Sequence, residues 1–506
     1  MRFPLQHCRS LGSILVHHAG RAGVVLAAVL AVSIGRLVEA QTAAPSLGRL
    51  AGSYHSLAEH PRVFTTQSEL RELADRIAVR NSYSSLRFGQ LAGRIALDLA
   101  AGKAWDKAYS GCNIETYLYA FSHEPQDAAQ SARVGSDLRL GPQAKPPAGA
   151  AVVASRLALY AALARAGAPL PAKAPDPGRA ADLAKRILMA WGDHGFRDEA
   201  GRFLFSAGQF CGLEGKVDAG SMTQVGLQVS RGVVYSAHAQ DLLMYLGTLD
   251  ADEARHSNDF HGAMFDLIRN ALNYRFVDHA DWACNHYSNH VGSQLTGLLA
   301  VARLLDDESR FSAVVYGGNP SMPVALPWNA YFDKAIYGIG AHPNECYNNT
   351  GFSGLTSRPF FQTATTTPGE INDRYRNANP YQGFGYSMGT LEWLYDIAEI
   401  LRHAGFDAYA FRGSYGQSIE MATEYYACYA TAVGFGNAIV AQKAAACPNF
   451  EQYAGKIISG AEGIFMRSAI HYPGDSRMSR LEELAKMSAL SANSGPDAVL
   501  FGQWRN

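Results

Sequence analysis

The chain is predicted to be all-α, and three observations point there. Apolar residues recur at intervals of three and four along most of its 506 residues. Helix start and stop residues bracket those runs. Alternating strand patterns are few and short. Hydrophobic residues make up 48% and charged residues 18%, so a chain of this length can bury a sizeable core.

The first forty residues read as an address rather than as fold. Arg2, Arg9 and Arg21 precede the apolar run 22–34, and Val38-Glu39-Ala40 offers small residues at the cleavage positions. That is the pattern of a secretory signal cut before Gln41. The run is too short to span a bilayer comfortably. The expected organisation is therefore a signal over 1–40 and one domain over 41–506. Without the signal, 40 Lys+Arg face 44 Asp+Glu, a net charge of −4. A globally basic nucleic-acid binder is thus disfavoured, and any positive charge for a polyanion has to be local. Six cysteines remain, Cys112, Cys211, Cys284, Cys346, Cys428 and Cys447, an even count that allows up to three disulfides in an exported protein. Cys428 and Cys447 are the nearest pair.

The elements follow in order. His60-Pro61-Arg62-Val63-Phe64 leads into Thr66-Gln67-Ser68-Glu69, a capping box, with Leu70, Leu73 and Ile77 at helical spacing after it. A helix over 151–166 stops at Gly167, and a Pro-rich stretch, 168–177, separates it from a helix over 179–191. Runs 222–246 and 260–272 are periodic. A helix over 385–404 ends at Gly405, with Arg402 and His403 in its last turn. Runs 418–432 and 478–490 complete the set. Successive helices of this kind pair antiparallel. Residues 338–385 break the pattern with Gly, Pro, Thr and Asn, and a long irregular stretch carrying Tyr and Arg favours function.

Two runs carry the chemistry. The first extends from Trp282 through His286, Asn289 and His290 to Phe311. Val291, Leu295, Leu298, Ala302 and Leu305 define one buried face of its helix, so Asn289 and His290 sit where that helix begins. Free N–H groups and the dipole there favour an anion. The second run holds Asp373, Arg374, Arg376, Tyr381 and Tyr386. Tyr386 is expected to open a helix with Met388, Leu391, Leu394, Ile397 and Leu401 on its apolar side.

In this chain order the two runs resemble the Asn-His helix and the Arg-then-Tyr helix of the alginate lyase (poly-mannuronate lyase) family of polysaccharide lyases. The His60-Pro61-Arg62 lead-in is similar to the start of polysaccharide-lyase helical domains. The resemblance implies an incomplete α/α toroid (α/α barrel) of antiparallel helix pairs, with a cleft lined by helix ends and loops. It also implies a periplasmic or secreted enzyme that cuts alginate or a similar uronate polymer by β-elimination. Tyr386 matches the family by offset. Arg374 and Arg376 lie further upstream of it than the family spacing, whereas Arg374 precedes Tyr381 by a family-like interval, so Tyr381 is the rival. Gly385 stands where many relatives carry a His.

Residue types of this kind suit β-elimination. The C5 proton of a uronate is very weakly acidic while the neighbouring carboxylate is charged. An amide and a cation that neutralise the carboxylate stabilise the carbanion-like state; Asn289 with Arg374 or Arg376 fits. A phenol of pKa about 10 becomes a usable base beside an arginine and can then protonate the leaving oxygen. His290 is a second candidate base, or polarises the carboxylate. Arg231 in Ser230-Arg231, Tyr381, Trp282 and His286 are candidate substrate contacts, and Trp328 can stack on a sugar face. His286 and His290 are four apart, a metal-like spacing, but no HExxH and no third ligand accompany them. No cofactor and no metal are expected. The expected partner is an anionic polysaccharide, with no nucleic acid and no membrane once the signal is removed. Two other readings stay open. One is a glycoside hydrolase on a similar toroid, for which Glu345, Glu370 and Asp373 are the loop acids and two facing carboxylates are needed. The other is a non-catalytic polysaccharide-binding protein.

Overall fold

Two reciprocal hydrogen bonds start the first described helix, α1 (Gln67–Ala78). The Thr66 hydroxyl accepts from Glu69 N at 3.3 Å, and the Glu69 carboxylate accepts from Thr66 N at 2.7 Å. The capping box read from the sequence is formed, and Leu70, Leu73 and Ile77 are buried behind it. The computed structural model describes residues 49–102, 149–197, 203, 219–273, 289–339, 367–372, 380–458 and 462–491. The signal segment 1–40 and Cys112, Cys211, Cys284 and Cys346 lie outside the described residues.

The protein is all-α. The helices that matter below are α2 (Tyr83–Ala101), α3 (Ala150–Arg165), α4 (Pro177–His194), α5 (Ala219–Leu246), α6 (Ala251–Asn273), α7 (Asn289–Leu304), α8 (Glu308–Tyr316), α9 (Trp328–Ala335), α10 (Pro380–His403), α11 (Ile419–Val433), α12 (Glu462–His471) and α13 (Ser476–Ser491). Among the described residues, extended segments meet only in isolated bridges, and no helix is long and apolar enough to cross a membrane.

Two helix starts differ from expectation, each for a local reason. α6 begins at Ala251 rather than near residue 260, because the Asp250 carboxylate accepts from Asp252 N and Glu253 N, both at 2.9 Å. α10 begins at Pro380 rather than Gly385; a proline needs no N–H partner in a first turn and its φ is already helical. Tyr386 therefore sits in the second turn of α10 and does not open it.

Side-chain contacts fix the directions of the helices. Ser155 meets His238 at 3.0 Å and Arg165 donates to Leu246 O at 2.8 Å, so α3 and α5 run parallel. Ser230 meets Ser293 at 2.7 Å. Eleven residues further on, Arg62 bridges the Asp241 carboxylate and Leu304 O, so α5 and α7 are parallel too. α7 and α10 follow suit: Gly389 lies beside Asn289, Gly292 beside Trp393, and Arg303 donates to His403 O at 2.7 Å. Against this parallel layer, α6 runs the other way, with Ser236 on His261 and Gln240 on Asn258. α4 is parallel to α6, through Lys185 with Glu253 and Gly192 against His256. The result is one layer of parallel helices backed by a second layer of opposite direction.

α7 lies at the centre of the first layer. The sequence marks one apolar face, yet every residue from Asn289 to Leu304 is buried. Polar Ser293, Gln294, Thr296 and Arg303 are covered by α5, α10 and the N-terminal segment as fully as the leucines.

The carboxyl ends of the layer are tied together by that segment. Arg303 is fully buried and donates to Arg62 O at 3.2 Å, His55 O at 2.8 Å and His403 O at 2.7 Å. Asp241 accepts from Arg62 N and Val63 N, both at 2.8 Å, and pairs with His60 at 2.6 Å. Arg62 reaches Leu304 O at 2.6 Å. Carbonyls that a helix end leaves unsatisfied thus receive cationic donors, which the dipole also favours.

A second buried network follows at the end of α10. Glu69 pairs with Arg402 and His403, both at 2.8 Å. Glu399 accepts from Arg402 at 2.9 Å, Tyr409 at 2.6 Å and His471 at 2.8 Å. Burial by itself raises a carboxyl pKa. At Glu69 the His403 hydrogen bond and the charges of His403 and Arg402 outweigh it and hold the group at about 2 against an ordinary 4.5. Burial opposes ionisation at Glu399 as well, but His471 and Arg402 hold it well below 4.5. Both groups lie below their unfolded value. Their stabilisation is therefore whole above about pH 4.5 and is lost as pH falls below it, in the case of Glu69 toward about 2. We expect the melting temperature, followed by circular dichroism, to drop across that interval. Glu69→Gln should melt lower than the wild type at neutral pH and lose less on acidification. Parallel acid limbs for the two proteins would contradict this.

Candidate functional site

The register set at the carboxyl ends determines where α7 begins. Asn289 is level with Gly389, nine residues into α10. At 1.5 Å per residue, the start of α10 rises about 13 Å beyond the start of α7. Ser230 is level with Ser293, so α5 also extends about 10 Å past it. The first turn of α7 is recessed between two longer parallel neighbours. Its positive dipole end lies at the bottom of that step.

Asn289 and His290 occupy this position, 5% and 7% exposed. The Asn289 amide nitrogen lies 3.7 Å from where a Cβ on Gly389 would stand. Tyr386 is one turn before Gly389 on the same side of α10 and is half-buried. The structure therefore brings the amide–imidazole pair and the Tyr386 helix together, from runs about a hundred residues apart. Close approach depends on glycine: a Cβ on Gly292 would come within 2.8 Å of the Tyr331 hydroxyl and 3.0 Å of Trp393 Cβ. On the α5 side, Ser230 donates to Leu227 O at 2.7 Å and contacts Ser293. A Cβ on Gly226 would meet the Gln294 amide at 2.2 Å. Arg231 follows Ser230 on α5 and is half-buried.

The remaining candidates fall elsewhere. Tyr381 is in the first turn of α10, and its side chain is outside what the structure describes. Arg374, Arg376, Trp282 and His286 lie outside the described residues, as do Glu345 and Asp373. Trp328 is no sugar platform. It is fully buried, with Phe332 and Phe411 ring centroids both at 5.2 Å. Glu370 is fully buried too and accepts from Tyr425, Tyr453 and Asn449, each at 3.2 Å. It secures residues 367–372, the approach to the arginine-bearing run, with Tyr337 donating to Asn372 at 2.7 Å.

A groove of about 460 Å³ adjoins the Asn289 contact. It is lined by Phe384, Gly385, Met388, Gly389 and Glu392 of α10, and by Gly455, Lys456 and Ile457. Gly389 is shared: it borders the groove and lies against Asn289. The sequence reading did not include Glu392 or Lys456. Glu392 was legible as one turn beyond Met388 on the same side of the helix, whereas nothing local marks Lys456.

The chain matches no protein-family model and no curated protein.

Gly292 of α7, against Trp393, and Gly389 of α10, against Asn289, should respond oppositely to a methyl group. Gly292→Ala has to displace Tyr331 and Trp393 and should cost about 1–3 kcal/mol. Gly389→Ala meets Asn289 only at ordinary contact distance and should be neutral or gain up to about 1 kcal/mol of helix propensity. Urea denaturation measures both, and equal losses would show that the helices are not in this register.

Proposed function

We propose that the protein is a polysaccharide lyase that cleaves a uronate-containing polymer, alginate or a close relative, by β-elimination. The carrying observation is the placement of the Asn289 amide against Gly389, one turn from Tyr386, with His290 beside it at the recessed helix end. The parallel layer and its reversed backing layer agree with an incomplete α/α toroid, and the motif resemblance agrees with the alginate lyase family. The Cys428–Cys447 disulfide fits a periplasmic or secreted protein.

Each group has a role in this chemistry. Asn289 donates to the uronate carboxylate and, with the helix dipole and an arginine of the 373–379 run, disperses the charge that grows on it. Tyr386 or His290 takes the C5 proton. The C5–H electron pair becomes the C4–C5 double bond, the C4–O4 bond breaks, and the departing oxygen takes a proton from the Tyr386 hydroxyl. Arg231 contributes positive charge on the α5 side. For hydrolysis, Glu370 is spent on buried tyrosines and is not placed to act as one of the two acids.

Mature protein incubated with polymannuronate, polyguluronate and other uronate polymers should generate ultraviolet absorbance from unsaturated ends. Asn289→Ala, His290→Ala and Tyr386→Phe, each folded by circular dichroism, should lose about a hundredfold or more in kcat/KM. Wild-type levels of product in all three would remove these residues from the mechanism. Polymer shortening without new absorbance would replace elimination by hydrolysis.

A further inference from the structure

Lys456 reaches the groove on a braced ribbon. Gly436 N donates to Ile458 O at 2.7 Å, Ile439 N to Lys456 O at 2.7 Å, and Gly455 N to Ile439 O at 2.8 Å. Gly455 has φ +82°, a conformation that favours glycine. The Cys428–Cys447 disulfide joins the end of α11 to the segment leading into the ribbon's second arm. Tyr453, fully buried, packs edge-on to Phe384 of α10 at 5.2 Å and donates to Glu370. Three independent restraints therefore hold the backbone that carries Lys456 beside α10.

The groove's chemistry is mixed in a specific way. Gly385 and Gly389 give one wall a bare backbone shelf, and a Cβ on Gly385 would meet nothing within 4 Å. Phe384, Met388 and Ile457 add apolar surface, and Glu392 supplies an acceptor. Lys456 is half-buried and forms no ion pair with any described residue. A pyranose offers apolar C–H faces and hydroxyl donors at its edge, and a uronate adds a carboxylate. All three features have a counterpart here, and Gly389, which borders the groove, also lies against Asn289.

We propose that this groove is a further sugar subsite, in which Lys456 binds the carboxylate of a uronate residue neighbouring the one held at Asn289. Glu392 accepts hydroxyl groups of the same residue, and the glycine shelf receives its ring. The proposal rests on the uronate-lyase reading above and adds the residues that favour a polyanion over a neutral glycan.

The test uses the mature full chain with polymannuronate as probe and neutral cellohexaose as control. Lys456→Ala should raise KM about tenfold, the loss expected for one hydrogen bond to a charged group. It should also flatten the salt dependence of KM, because a screened charge contact is gone. Lys456→Arg should restore most of the affinity. Gly385→Leu points into open space, so it should keep the wild-type melting temperature while filling the shelf and raising KM. If wild type cleaves the polymer and both Lys456→Ala and Gly385→Leu keep its KM and salt dependence, the subsite is wrong and the lyase reading stands. If wild type cleaves nothing, calorimetric binding of polymannuronate decides. Binding weakened by Lys456→Ala with none to cellohexaose supports the subsite without the lyase, and no binding overturns both.

Discussion

The buried guanidinium of Arg303 sets the geometry on which the candidate site depends. Its three donors reach carbonyls of the N-terminal segment and of the end of α10. Removed from water and planar, it has few ways to satisfy these partners at once, so it acts as a gauge between two helices. With α7 and α10 level at their carboxyl ends, the difference between 16 and 24 residues appears wholly at the other end. The recess holding Asn289 and His290 is thus a length difference expressed through a register. The N-terminal segment shapes that recess although it sits at the opposite end of the layer. Arg62 and Asp241 level α5 in the same way.

Two kinds of buried charge serve different ends. Glu69, Glu399, Arg402, His403 and His471 satisfy one another and lock the end of α10 to α1 and α12. Such a cluster is costly to break once one partner is removed, and it leaves little capacity for a ligand. At the other end the helix backbones come close. Glycines at 226 and 292 admit neighbours that a side chain would exclude. Stability is concentrated at one end of the layer, and ligand chemistry is assigned to the other.

Much of the local structure was legible in the sequence. The Thr66–Glu69 box formed, and Gly167 and Gly405 follow the helices they were expected to stop; the Cys428–Cys447 pairing is seen only in the structure. What failed was of two kinds. Asp250 and Pro380 start helices earlier than the apolar spacing suggests, and both carry recognisable start chemistry that the spacing overshadowed. The total burial of α7 was not legible at all, since Ser293, Thr296 and Arg303 read as an outward side until partners from other helices are known. For the site, Asn289, His290 and Tyr386 could be picked out as residues, but their adjacency is a matter of register between helices, which no single sequence encodes visibly. Lys456 lies seventy residues beyond Tyr386 in an unremarkable setting, and only the ribbon brings it to α10.

A site whose floor is one helix terminus between longer neighbours has a depth that can vary independently of everything else. Adding a turn before Asn289 would lift the floor by about 5.4 Å without disturbing Arg303 or any contact at the far end. Removing one would deepen it by as much. Chains sharing this layer could therefore differ in how far a ligand penetrates, through changes confined to the few residues that precede a single helix.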